Sequence, residues 1–207
     1  MSEVDLNSYV SYQHRQEAQL SKYLEWKNKG GFELPIQLTT LMRPEQQFRI
    51  NWIKSNCHSR DVIELGTNFG FILASVGGRV GIDISEQCVE LARVLQPDKT
   101  FLIADITKPP LPFAPHEFDV CIMAEVLEHL LFETQVPIAL SEAIRITRHT
   151  LLITFPNGEH DTVDAVAPRH AWLGSVDRVE KLQALIPGKK KIIFDKNFVL
   201  IKADIDK

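Results

Sequence analysis

The stretch from Asp61 to Ser85, DVIELGTNFGFILASVGGRVGIDIS, concentrates residues able to do chemistry: an apolar run containing Glu64, a turn bearing Gly66 and Gly70, and a second apolar run ending near Asp83. A glycine turn that opens a helix offers backbone N–H groups to a ligand, and several nucleoside ligands are held on such turns. The spacing narrows the choice. A dinucleotide turn reads GxGxxG, in which the middle glycine lets the backbone approach a pyrophosphate. Here Thr67, Asn68 and Phe69 separate the two glycines, so the pattern is ExGxxxG. A phosphate-binding Walker loop is excluded as well, because no Gly-Lys-Ser/Thr follows Gly70. Glu64 would repel a pyrophosphate lying beside it, whereas a ligand carrying a positive sulfonium and a free ammonium suits it.

Further along the chain stand Asp105 in FLIADITKPPLPF, the segment FDVCIMAEVLEHLL and the segment LLITFPN. Taken in order over residues Arg60 to Asn157, these motifs resemble the class I S-adenosylmethionine-dependent methyltransferases, in particular the type 11-like group of small single-domain enzymes. In that family the first motif reads D/E-x-G-x-G-x-G, and it stands here as Glu64, Gly66, Asn68 and Gly70 with Thr67 inside it. Asn68 replaces the middle glycine, and asparagine is the non-glycine residue that best tolerates left-handed geometry, so the loop shape is expected to survive. The resemblance implies that Asp83, followed by Ile84, accepts both ribose hydroxyls of S-adenosyl-L-methionine. It implies further that Asp105 and the backbone of Ile106 meet the adenine, and that the backbone of Ala124 and Glu125 passes under the methionine part.

His129 follows the fourth expected strand on the side where open α/β sheets place their sites, and a neutral imidazole there suits a general base for a hydroxyl acceptor. With His160 and His170 it forms the candidate catalytic set, and no metal is expected. A competing reading is that Glu125, Glu128 and His129 resemble the E-x-x-E-H element of small-RNA terminal ribose methyltransferases. There it holds manganese or magnesium with a later histidine, a place His160 or His170 could fill. Glu128 otherwise reads as a helix-surface or capping residue, and Cys121 and Met123 as core. A third reading is a non-catalytic S-adenosylmethionine-binding or scaffold protein, since fold does not imply activity.

These groups need a scaffold that brings strand ends together. Apolar runs at 61–65, 80–84, 101–104, 118–123 and 150–155 alternate with helical patterns at 85–95 and 137–147, and a short helix over 69–76 fits between Gly70 and Gly77. Such alternation predicts an α/β, Rossmann-like, doubly wound and mostly parallel sheet. The tail, KKKIIFDKNFVLIKAD, reads as an antiparallel hairpin at the sheet edge, turning at Asp195 to Asn197. Before about Ser59 the pattern is helical, with one helix at 43–56, so the chain divides into an N-terminal helical lid or extension at 1–58 and a methyltransferase domain at 59–207. Tyr9, Tyr12 and Trp26 read as the buried face of its first helix.

Composition sets the remaining bounds. Among 207 residues, 23 Lys and Arg against 27 Asp and Glu give a net charge of −4, which offers no footprint for nucleic acid or an anionic membrane. Cys57, Cys88 and Cys121 show no CxxC spacing, so neither a disulfide framework nor a thiolate zinc site is expected. No export signal is visible in the polar, acidic start, and a cytoplasmic location is expected. The expected partner is a small-molecule acceptor, methylated in line on an O, N or C atom, with the acceptor chosen by the N-terminal helix, the loop after Pro156 and the segment APRHAWLGSVDRVEKLQ. Monomer and homodimer both stay open.

Overall fold

A computed structural model describes residues 44–158 and 171–205, together with Glu25 and Asn28. The elements run α1 (Pro44–Asn56), β1 (Val62–Leu65), α2 (Phe71–Ser75), β2 (Val80–Asp83), α3 (Glu86–Leu95), β3 (Thr100–Ile103), β4 (Phe118–Ala124), a 3₁₀ turn (Leu127–His129), α4 (Gln135–Ile146), β5 (Thr147–Pro156), α5 (Val176–Leu185), β6 (Lys189–Phe194) and β7 (Phe198–Asp204). Seven strands make one sheet in the order β3-β2-β1-β4-β5-β7-β6. The first five are parallel, and β7 is antiparallel to both of its neighbours. This is the Rossmann-like, mostly parallel sheet expected from the alternation of elements.

Period-two alternation along the strands assigns the two faces. Cys121, Met123, Leu151, Ile153 and Phe155 point to the cluster formed with α4 and α5, whereas Val62, Val120, Ile122 and Leu152 point to α1, α2 and α3. Glu64 falls on the second face, so its carboxylate is buried beneath α2 rather than laid along the sheet end. Trp172 closes the first face, packing edge-on against Phe132 and Phe155.

The C-terminal hairpin forms as expected, but its later strand is the inner one. β7, with the run Phe198 to Ile201 fully covered, pairs with β5 over seven residues, while β6 with Lys189 and Lys191 exposed forms the edge. Lysines on an outer strand discourage pairing with another chain, so the charge distribution decides which strand goes outside. β5 begins three residues earlier than its apolar core suggests, directly after α4, because Thr147 both ends that helix and pairs with Phe118.

α1 packs on the sheet through Ile50 and Ile53, which share a cluster with Val62, Ile122 and Leu152. The expected helix and Pro44–Asn56 coincide, and the residues before it, including Tyr9, Tyr12 and Trp26, lie outside the described set. Because Ile53 is wholly buried, Ile53→Ala is expected to cost ~2–5 kcal/mol of stability, measured by urea unfolding. A change under about 0.5 kcal/mol, the range of ordinary surface substitutions, would show that α1 is dispensable to the core.

Candidate functional site

The sheet order reverses direction between β1 and β4, and open α/β sheets bind ligands at that point, outside the carboxyl ends of the strands. A cleft of about 470 Å³ lies there, bounded by Gly66 and Asn68 after β1, Asp83 and Ile84 after β2, Asp105 and Ile106 after β3, and Glu125, Val126 and His129 after β4. Its size is that of a small-molecule site.

The loop after β1 is built from alternating left-handed residues: Gly66 at φ 74°, Asn68 at 51° and Gly70 at 73°. Asn68 therefore occupies the geometry its residue type tolerates. Two N–H groups, of Gly66 and Thr67, donate to the Ile82 carbonyl at 2.8 Å each, pinning the loop to β2. A β-carbon on Gly66 would lie 2.4 Å from a Val126 methyl, so the missing side chain is what lets the loops after β1 and β4 meet. One on Gly70 would lie 2.5 Å from the Phe101 ring. The requirement for these glycines thus comes from protein packing as much as from any ligand.

Glu64 does not bound the cleft. Its Oε2 accepts from the Thr67 hydroxyl at 2.7 Å and from the Leu73 N–H at 3.0 Å. Gly70 stands at the N-cap of α2 without a side chain, and Glu64 supplies the missing acceptor from the neighbouring strand. Thr67 and Gly70 likewise serve the loop, and Ala124 is buried at the end of β4.

Asp83 does face the cleft. Its Oδ2 accepts from the Asn68 N–H at 2.8 Å and its Oδ1 from the Ser85 N–H at 2.9 Å, which fixes both oxygens at the rim. Asp105 is fixed similarly, its Oδ1 accepting from the Thr107 hydroxyl at 2.6 Å and the Thr107 N–H at 2.9 Å. Those bonds, with Lys108 beside them, hold its carboxyl below the usual range.

The turn after β4 separates three residues that the metal reading would unite. Glu125, at φ 56°, and His129 bound the cleft, while Glu128 is fully buried and neither of its oxygens has a hydrogen-bond partner among the described residues. Burial, reinforced by the neighbouring Glu125, pushes the Glu128 carboxyl well above its usual range. The expectation of a surface or capping role for Glu128 is therefore corrected. Among the described residues no group of three or more His, Cys, Asp or Glu is placed to hold a metal ion, and His160 and His170 lie outside that set.

The motif reading passed over Arg49, buried on α1 at 3.4 Å from Glu125. Its signal was an arginine flanked by Ile50 and four residues from Ile53, on what is otherwise an apolar helix face. Thr107 and Gln135 were also passed over, and both border the cleft.

Comparison with known proteins places this geometry. Residues 63–153 match the methyltransferase domain family model. Over that segment the chain is similar to a methyltransferase domain. None of the curated proteins is a significant sequence match. Among solved structures, a SAM-dependent methyltransferase of Thermotoga maritima, described as a possible histamine N-methyltransferase, superposes with a TM-score of 0.67 at 16% identity, covering 93% of this chain and 99% of that one. Magnesium protoporphyrin IX methyltransferase of Synechocystis PCC 6803, with bound SAH, gives 0.60 at 17% identity over 94% and 99%. A SAM-dependent methyltransferase of Aquifex aeolicus gives 0.60 at 19% identity over 84% and 100%.

Within the matched segment, Glu64 is a buried carboxyl whose ionisation is shifted. Burial raises its carboxyl from 4.5 to about 7, against the opposing bonds from Thr67 and Leu73 and the charge of Arg49. The folded state thus holds the proton more tightly than the unfolded chain. The stabilisation this gives is fully present below about pH 4.5 and is lost as pH rises through about 7. Glu64→Gln keeps a carbonyl acceptor and removes the ionisation, so its stability is expected to fall less than the wild type's across that window. Urea unfolding of both proteins at several pH values checks this, and identical pH slopes would refute it.

Proposed function

We propose that this protein is an S-adenosyl-L-methionine-dependent methyltransferase acting on a small-molecule acceptor. The observation that carries the reading is the pair of carboxylates, Asp83 and Asp105, held rigid by backbone N–H groups at the ends of β2 and β3 and turned into one cleft beside the glycine loop. Asp83 is suited to two hydroxyl donors of a ribose, because a carboxylate already accepting one bond at each oxygen keeps a further lone pair on each. Ile84, 67% exposed, offers an apolar surface for a flat base. The loop after β1 and the turn after β4 leave the backbone close to the cleft floor, where Gly66 admits no side chain.

Bound there, the cofactor would supply a methyl group activated by a positively charged sulfur, open to in-line displacement by an acceptor atom with S-adenosylhomocysteine as the leaving group. The protein's share is to bind, orient and exclude water, for which proximity and preorganisation suffice. His129, exposed at the cleft, is placed to take a proton from a hydroxyl acceptor. The residues before 44 and residues 159–170 are the proposed source of acceptor choice. Ala171 and Trp172 support this, since their N–H groups are anchored to the Glu128 and Leu130 carbonyls beside His129.

Calorimetric titration with S-adenosyl-L-methionine, followed by transfer of labelled methyl to a panel of small hydroxyl and amine acceptors, tests the reading. Binding with transfer is expected. Binding without transfer to any acceptor favours a sensor, and absence of binding favours a scaffold. Asp83→Ala is expected to weaken binding about ten-fold or more, the equivalent of ~1.5–3 kcal/mol for a charge-assisted hydrogen bond. Unchanged affinity in the folded variant counts against the assignment of the cleft.

Metal removal separates the small-molecule reading from the RNA-terminus one. Because Glu128 is buried away from the cleft that Glu125 and His129 share, transfer is expected to persist at full rate in excess chelator. Loss of activity in chelator, restored by manganese and abolished in His129→Ala, would make a ribose diol the leading acceptor.

A further inference from the structure

The floor of the cleft is held from outside the matched segment. Arg49 belongs to α1, is 4% exposed, and carries a guanidinium that stays charged at any relevant pH. A buried charge needs a counter-charge, and its ion pair among the described residues is with Glu125, Nη1 to Oε1 at 3.4 Å. The rest of its setting orients it toward that partner: Nη2 donates to Gln46 Oε1 at 2.7 Å, and the guanidinium lies over the Phe198 ring, 5.3 Å from its centroid.

Glu125 is tied on a second side. Its Oε1 accepts from the Thr154 hydroxyl at 3.2 Å, and its own N–H donates to the Thr154 carbonyl at 2.9 Å. These contacts hold a non-glycine residue at φ 56°, a conformation that persists only where the surroundings enforce it. The next residue, Val126, is the one whose methyl stands where a side chain on Gly66 would be. A contact chain therefore runs from α1 through Glu125 and Val126 to the glycine loop, along the cleft floor.

We infer that Arg49 is a positioning residue for cofactor binding, fixing the Glu125 carboxylate and with it the left-handed turn after β4 against the glycine loop. The inference rests on the methyltransferase reading and deepens it, because it assigns a binding role to a helix that the family model does not cover. A merely structural arginine would anchor α1 to the sheet and influence the cleft no more than Ile50 or Ile53 does.

A double-mutant cycle in S-adenosylhomocysteine affinity, measured by calorimetry on the full chain, distinguishes the two. Arg49→Met and Glu125→Gln are each expected to raise Kd at least ten-fold. The double variant is expected to be no weaker than the weaker single variant, because both remove one interaction. Arg49→Lys keeps the charge without the fork and is expected to recover part of the loss. Additive losses, or an unchanged Kd in folded Arg49→Met, would overturn the inference. If Arg49→Met does not fold, the cycle is run with Arg49→Lys, where an unchanged Kd overturns it equally. Wild-type protein that does not bind S-adenosylhomocysteine overturns the methyltransferase reading and this inference with it. Wild-type binding with insensitive variants overturns this inference alone.

Discussion

The bond pair made by Glu64, to the Thr67 hydroxyl and the Leu73 N–H, is the constraint on which the site depends. A helix of five residues has almost no intrinsic stability, since nucleation fixes several dihedrals for each hydrogen bond gained. Its N-terminal N–H groups also need acceptors, and Gly70 offers no side-chain oxygen. Glu64 resolves both difficulties from β1, and in doing so sets where the loop turns. The cost is a carboxyl buried deeply enough to take up a proton near neutrality.

With the loop placed, the sheet does the rest. In a parallel sheet every strand delivers its carboxyl end to the same rim, and the reversal of order at β1 and β4 parts the helices to either side. Asp83, Asp105 and Glu125 follow three different strands and lie far apart in sequence, yet each is the last residue of its strand or within two residues beyond it. Their backbone partners differ, but the logic is shared: each carboxylate is locked by local N–H or hydroxyl donors before any ligand arrives. Preorganisation of this kind moves the entropic cost of ordering into folding rather than binding.

Much of this was legible in the sequence because it is periodic or local. The strands after residue 60 appear as apolar runs, and Asn68 at a left-handed position is a statement about one residue's backbone. What escaped was non-local. Glu64 reads as a ligand contact because its position at a strand end is visible, whereas the side-chain direction beneath α2 depends on which face of β1 the helix covers. Glu128 reads as a surface residue because a three-residue 3₁₀ turn leaves no periodicity to reveal its buried side. Arg49 lacked a motif altogether, and only the packing of α1 against β5 and β7 shows what it meets.

The burial of Arg49 and Glu128 beside the half-buried Glu125 at one cleft is hard to explain by stability. Replacing such a group by apolar residues is often neutral or favourable, since desolvation offsets most of the attraction between the charges. Glu128 makes the imbalance sharper, for it has no hydrogen-bond partner among the described residues and lies beside a second carboxyl that raises its proton affinity further. Burial and the neighbouring Glu125 carboxyl both favour the protonated form of Glu128 over its usual balance. A fold selected for stability alone would fill this space with leucine and isoleucine, as the α1 side of β1 and β4 is filled a few ångströms deeper in the sheet. The polar residues gather instead where the β4 turn meets the cleft, which ties their retention to orienting the groups at its floor.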